Sequence, residues 1–299
     1  MRLLCYDDPR KEVSAMDWTE AITRAIAYME DHLTEELTVQ QIADEVHFSP
    51  FYFQKGFVIL CGYTPSEYLR NRRLTEAARE LTNGGGKVID LALKYGYESP
   101  DSFTKAFVRF HGCTPAETRS GSKKPRIFAP LRIHIQLKGG FRMDYKIMDK
   151  PAIKLIGCSK MIPFNEGMTQ CPAFWDEHMA SGRSKIVMGE YAVCFDENMD
   201  GKCFKYMIAD AYAPEKDQPG FEAVTLPAHT WAVFACLGPM PQVLQDTTRR
   251  IFSEWLPENK EYEIAAGISV EYYTDPMDYP KGPKDEKYYC EVWVPVKRK

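Results

Sequence analysis

The segment SPFYFQKGFVILCGYTP, starting at Ser49, returns 50 residues later as SPDSFTKAFVRFHGCTP, starting at Ser99. Nine of the seventeen positions coincide, among them Phe53/Phe103, Lys55/Lys105, Phe57/Phe107 and Gly62/Gly112. Upstream the match continues with an offset of 49, through Val39/Val88, Ile42/Leu91 and Ala43/Ala92, so the second copy carries one extra residue around Gly96–Ser99. A repeat of this kind requires both stretches to fold into the same small unit.

Each copy reads as helix, tight turn, helix. Val39, Ile42, Ala43 and Val46 recur at helical spacing, as do Val88, Leu91, Ala92 and Tyr95. Thr38 can cap the first helix of its copy, with no capping box expected. Ser49 and Ser99 cap the second helices with proline at the first helical position, and Gly62 and Gly112 stop them. Phe53 with Phe57, and Phe103 with Phe107, fall four residues apart on a buried face. The remaining face of each second helix is expected to point outward. In the first copy it carries Phe51, Tyr52, Gln54 and Lys55; in the second, Asp101, Ser102, Lys105 and Arg109. Gln, Ser, Lys and Arg hydrogen-bond base edges and phosphates, and aromatics touch thymine methyls. One such helix face is ordinarily just solvated; two equivalent ones point to paired helix-turn-helix units.

Between the copies, residues from Thr64 to about Thr82 have the composition of one continuous helix, broken by Asn83-Gly84-Gly85-Gly86. At 1.5 Å per residue that rod is about 25–28 Å long, near the ~34 Å between major-groove faces one DNA turn apart. Arg70, Arg72, Arg73 and Arg79 decorate it and are expected to be solvated or paired with Glu76 and Glu80. SPFYFQKGF, GYTPSEYLRNRRL and DSFTKAFVRFHGCTP resemble the AraC/XylS transcription regulators over residues 17–119. That resemblance implies an all-α DNA-binding domain, two helix-turn-helix units joined by a long helix, reading double-stranded DNA through the outward residues named above. Gly56 departs from the family pattern, standing where a larger residue is usual, and Asp101 sets an anion on a reading helix.

Charge marks the organisation. Residues 16–119 hold 11 basic and 15 acidic side chains, residues 120–142 hold six basic and none acidic, and residues 143–299 hold 18 and 24. The expected arrangement is a tail (1–15), the DNA-binding domain (16–119), a basic linker opening Ser-Gly-Ser-Lys-Lys-Pro (120–142) and a second domain (143–299). No run approaches the ~18 apolar residues needed to span a bilayer, and the N-terminus lacks the apolar core of a secretory signal. The nine cysteines form no CxxC pair, as free thiols in a reducing cytoplasm do. No metal, cofactor or catalytic motif stands out.

Residues 143–299 alternate short strands with two helices, from Thr169 to about Ser181 and over MPQVLQDTTRRIFSEWLPEN. A β-α-β-β order read twice implies an α+β domain with duplicated βαββ halves. Two acids sit within strands. Glu271 shares a face with Ser269 and Tyr273, and Glu291 with Tyr289 and Trp293. A strand glutamate is ordinarily solvent-facing; among aromatic rings it would instead attract a cation. The two βαββ patterns, EYYTDP and the final EVWVPV resemble the GyrI-like effector-binding domains, found also in multidrug-sensing regulators. The resemblance implies a pocket between the halves for an amphipathic, aromatic or cationic small-molecule effector. Glu271 then corresponds best to the ligand-contacting acid and Glu291 second, with Tyr288, Trp231, Tyr191 and Trp175 as walls.

The sequence therefore describes a cytoplasmic, ligand-responsive transcription regulator that is not an enzyme. Its partners are DNA, an effector and, as a further candidate, RNA polymerase. The alternatives are a GyrI-like hydrolase fused to a DNA-binding domain, and a regulator whose second domain docks a protein.

Overall fold

The computed structural model describes residues 18–132, 143–195 and 202–299, so the tail expected at 1–15 and part of the basic linker lie outside it. Seven helices come first: α1 (Trp18–Asp31), α2 (Val39–Glu45), α3 (Pro50–Cys61), α4 (Pro65–Thr82), α5 (Val88–Lys94), α6 (Pro100–His111) and α7 (Pro115–Arg119). The two repeats are α2–α3 and α5–α6, and α4 is the rod between them. Ser49 and Ser99 cap α3 and α6 from their side-chain oxygens, and Gly62 and Gly112 end them in the left-handed region at φ 76° and 73°. Thr38 does form a capping box. Gln41 at the third helical position accepts from the Thr38 amide while its own amide donates to Thr38 Oγ1, because glutamine serves there as well as glutamate.

The turns match bond for bond. His47 and Phe48 donate to Asp44 and Ala43 in the first copy; Gly96 and Tyr97 donate to Leu93 and Ala92 in the second. The extra residue of the second copy is therefore Glu98. Both turns need a left-handed residue, and the first copy uses His47 (φ 58°) where the second uses Gly96 (φ 79°).

Beyond the helices, nine antiparallel strands among the described residues make one sheet. They are β1 (Lys146–Lys150), β2 (Ile153–Pro163), β3 (Tyr191–Phe195), β4 (Cys203–Ala211), β5 (Glu222–Leu226), β6 (His229–Leu237), β7 (Tyr262–Ile264), β8 (Ile268–Tyr273) and β9 (Tyr289–Arg298). The order is β1-β6-β9-β8-β3-β4-β2-β5, with β7 also on β9. Two helices pack on one face: α8 (Gly167–Ala180), and α9 (Gln242–Arg250), which continues through a π turn to Glu258. Strands β2, β3 and β4 with α8 lie on one side of the β3–β8 seam, and β6, β8 and β9 with α9 on the other. Strands β1 and β5 cross over, β1 pairing with β6 and β5 with β2.

Three cores result. The second helix-turn-helix unit has its own, built on Leu74, Leu81, Leu91, Phe103 and Phe107. One sheet face has another, with Val193, Met207, Trp231, Val270 and Trp293. The third core joins the first helix-turn-helix unit to the opposite sheet face, running from Trp18, Ile22, Phe53 and Phe57 to Tyr206, Phe234 and Phe252. The first unit is thus packed against the C-terminal sheet rather than held apart by the linker. What the structure describes of that linker is strapped to the helices. The Phe128 carbonyl accepts from Arg72 and the Phe128 amide donates to Thr75, while its ring meets Tyr63 and Tyr68.

Candidate functional site

Helix α6 presents the face its sequence implies. Asp101, Ser102, Lys105 and Arg109 are all exposed, while Phe103 and Phe107 are buried. Helix α3 does not. Phe51, Tyr52 and Gln54 are buried and Lys55 half-buried, because the sheet and α9 cover the face expected to look outward. The Tyr52 hydroxyl donates to the Ile268 carbonyl at 2.7 Å, and Lys55 Nζ to Ser269 Oγ at 2.8 Å. The Phe51 ring lies 6.0 Å from that of Phe164. Gly56 explains its own departure from the family pattern. A Cβ there would lie 2.1 Å from Trp18 of α1 and 2.7 Å from Phe252 of α9, so only glycine admits both rings. The signal was in the repeat itself: Phe51, Tyr52 and Ile59 stand where the exposed copy has Asp101, Ser102 and Arg109.

The arginines of α4 are mostly structural. Arg72 is buried and paired with Glu30 and Glu76, Arg73 donates to the carbonyls of Leu33 and Glu35, and Arg79 pairs with Glu76. Arg70 is exposed.

A cavity of about 830 Å³ lies between α3, α8, the start of α9 and strands β3, β4 and β8. Strand alternation puts Ser269, Glu271 and Tyr273 of β8 on its side and Val270 and Tyr272 on the other. Glu271 Oε2 accepts from the Tyr206 hydroxyl at 2.8 Å and the Tyr273 hydroxyl at 2.6 Å. Trp175 Nε1 donates to the Tyr206 hydroxyl at 3.0 Å, and the Trp175 ring meets Tyr273 edge-on at 5.1 Å. Burial, with the Glu271 carboxylate adding to it, pushes the Tyr206 and Tyr273 phenols well above the ordinary tyrosine value. Both therefore stay protonated and keep donating to Glu271. Among the described residues no cationic side chain lies within 4 Å of the Glu271 carboxylate. The carboxylate is thus held by two phenols, and the Lys55 ammonium, bound to Ser269 on the same strand face, shares the cavity with it without touching it. Met168, Met179, Met188 and Met240 also line the cavity, side chains that re-pack around varied shapes, and its rim carries the charged Asp176, Glu190, Asp210, Lys216 and Lys284. Burial pushes the Cys194 thiol up to about 11 against the pull of Lys55, and Cys171 well above its ordinary value, so both wall thiols are inert at neutral pH.

Of the wall residues expected from sequence, Glu271, Trp175 and Tyr288 line this cavity. Glu291, Tyr191 and Trp231 do not, since strand alternation sends them to the opposite sheet face. There Glu291 accepts from the Tyr289 hydroxyl and from Trp293 Nε1, Tyr191 packs on Tyr272 and Trp293, and Trp231 is fully buried beside Trp293. Tyr206 escaped sequence reasoning, although the alternation of CFKYMIADA places it on the same face as Phe204 and Ile208.

Among the described residues no helix is long and apolar enough to cross a membrane. Residues 42–121 match the helix-turn-helix domain family, and residues 143–297 the GyrI-like small molecule binding domain family. The chain is similar to the HTH-type transcriptional activator AarP of Providencia stuartii, 36% identical over 95 residues, covering 32% of this chain and 70% of that one. It is similar to the transcriptional regulator Rob of Salmonella typhimurium, 31% identical over 120 residues, but spans only 42% of that protein's length and 40% of its own. Among solved structures, SAV2435 bound to tetraphenylphosphonium is 21% identical with a TM-score of 0.45, over 52% of this chain and 94% of that one. The chain belongs to the AraC-type helix-turn-helix transcription regulators through its N-terminal part and to the GyrI-like small-molecule-binding family through its C-terminal half.

Proposed function

We propose that the protein is a DNA-binding transcription regulator, not an enzyme, whose C-terminal cavity senses a cationic aromatic compound. Glu271 carries this reading: a carboxylate at the wall of the cavity, held by two neutral phenols among aromatic rings and in direct contact with no cationic side chain among the described residues. A carboxylate taken out of water is stabilised by any cation that replaces its hydration, and the faces of Trp175, Tyr206 and Tyr273 attract the same charge. The cavity volume falls within the ~300–1,000 Å³ of small-molecule sites. DNA contact is assigned to the exposed face of α6 (Asp101, Ser102, Lys105 and Arg109) and to Phe51, Tyr52, Gln54 and Lys55 of α3.

Calorimetry with a matched pair tests the ligand class. N-methylacridinium carries a fixed charge, while acridine of nearly the same shape is neutral at about pH 8. The wild-type chain is expected to favour the cation at least about tenfold, roughly 1.4 kcal/mol, and Glu271→Gln to abolish the preference. Equal losses for both compounds would mean that Glu271 shapes the cavity without acting through charge. No loss for either would remove the cavity as the sensor.

A further inference from the structure

Helix α3 serves two surfaces that cannot both have it. Phe51, Lys55 and Ile59 are the positional equivalents of Asp101, Lys105 and Arg109 on the exposed face of α6, yet they line the cavity. We propose that α3 is a built-in competitor of the effector: docked, it hides the first DNA-reading face, and a cation bound at Glu271 expels it. This inference rests on the DNA-binding and cation-sensing reading above.

Three observations carry it. Gln54 is fully buried, and neither its amide nitrogen nor its amide oxygen has a hydrogen-bond partner. Buried polar groups are nearly always satisfied, so an orphaned glutamine on this face marks a surface shaped for a second, polar partner. A base edge is such a partner, since glutamine reads adenine through both amide atoms. Lys55 is the second observation. Its ammonium reaches into the effector cavity and is held by one hydroxyl, Ser269 Oγ, with no carboxylate within 4 Å among the described residues. Ser269 lies two residues from Glu271 on the same strand face, about 7 Å along the strand. A cationic ligand on Glu271 therefore meets the Lys55 charge inside the same cavity, and like charges so placed repel each other. The third is Gly56, which lets Phe252 of α9 close on α3; Ala106 stands at the equivalent position of the exposed copy.

The docked state is thus held by Phe51, Tyr52 and Gly56 and weakened by Gln54 and Lys55, which makes it displaceable. Helix α6 stays exposed throughout. The ligand-free chain reads one half of its DNA site, and the ligand adds the other half. Linkage makes the coupling reciprocal, so DNA that engages α3 raises cation affinity by the same factor.

A reversible lock tests this on the full-length chain. An ideal Cβ on Gly267 lies 3.3 Å from the Phe51 Cβ, close to the ~3.5–4.5 Å spacing of a disulfide. Phe51→Cys with Gly267→Cys should cross-link spontaneously in the free protein. On a duplex selected from a random pool by the wild-type chain with N-methylacridinium, and with that cation present, the oxidised form should bind at least about tenfold more weakly than the same protein reduced. Equal binding by the two forms overturns the inference and leaves the DNA-binding reading intact. A wild-type chain that selects no duplex overturns both. A pair that never cross-links shows that α3 is not docked, and also overturns it. The wild-type chain supplies an independent measurement. N-methylacridinium should speed hydrogen exchange of the α3 amides and leave α6 unchanged; slower or unchanged α3 exchange contradicts the proposal.

Discussion

The two helix-turn-helix copies share a fold and differ in what they face. Helix α6 buries Phe103 and Phe107 and offers solvent an acid, a serine, a lysine and an arginine. Helix α3 buries the same two phenylalanine positions and also Phe51, Tyr52 and Gln54 on its other side. A repeat thus fixes the backbone and the inner face, while the outer face is free to acquire another partner. Here that partner is the C-terminal sheet, so one copy belongs to two units at once.

Exchanging the faces should break this contrast most severely. Phe51→Asp with Tyr52→Ser gives α3 the residues of α6 and removes two buried rings, with about 3–5 kcal/mol of unfolding free energy lost for a large aromatic truncation. The mirror pair, Asp101→Phe with Ser102→Tyr, should change stability by no more than about 1 kcal/mol, the loss of the acid from the first turn of α6 included. Similar losses in denaturant titrations of the two variants would dissolve the distinction. Next in size is Gly56→Ala, expected to cost about 1–3 kcal/mol through overpacking against Trp18 and Phe252. A neutral result would mean that those rings move aside freely.

Gln54→Leu should act in the opposite sense. It removes two unsatisfied buried polar atoms, each costing about 1–3 kcal/mol, so the unfolding midpoint should rise while DNA binding falls. A lowered midpoint would show that Gln54 is satisfied in the folded chain. The smallest effect is expected at Asp101→Ser. Taking an anion from the reading face should tighten DNA binding a few-fold, while α6 loses about 0.3–1 kcal/mol of helix N-terminal stabilisation. Weaker DNA binding would give Asp101 a direct reading role.

Much of this was legible in the residues. The repeat located α2–α3 and α5–α6, the composition of residues 64–82 located α4, and strand alternation put Glu271 with Ser269 and Tyr273. The same alternation could have removed Glu291, because Glu291 shares its side with Trp293, whereas Tyr206 and Tyr273 face the other way. Burial of α3 was harder to read. It depends on contacts between residues more than 200 positions apart, such as Tyr52 with Ile268, which no local period records. Only the apolar outer face of α3 and the glycine at 56 hinted that this copy met another surface. The capping box at Thr38 is local and legible, since Gln41 stands at the required position.

The most direct test is a footprint of the full-length chain on its selected duplex, without and with N-methylacridinium. Without the cation, protection is expected over one major-groove face, read by α6. With it, protection should extend to a second face about one helical turn away, read by α3. Equal protection of both faces before the cation is added would contradict the sequestration of α3.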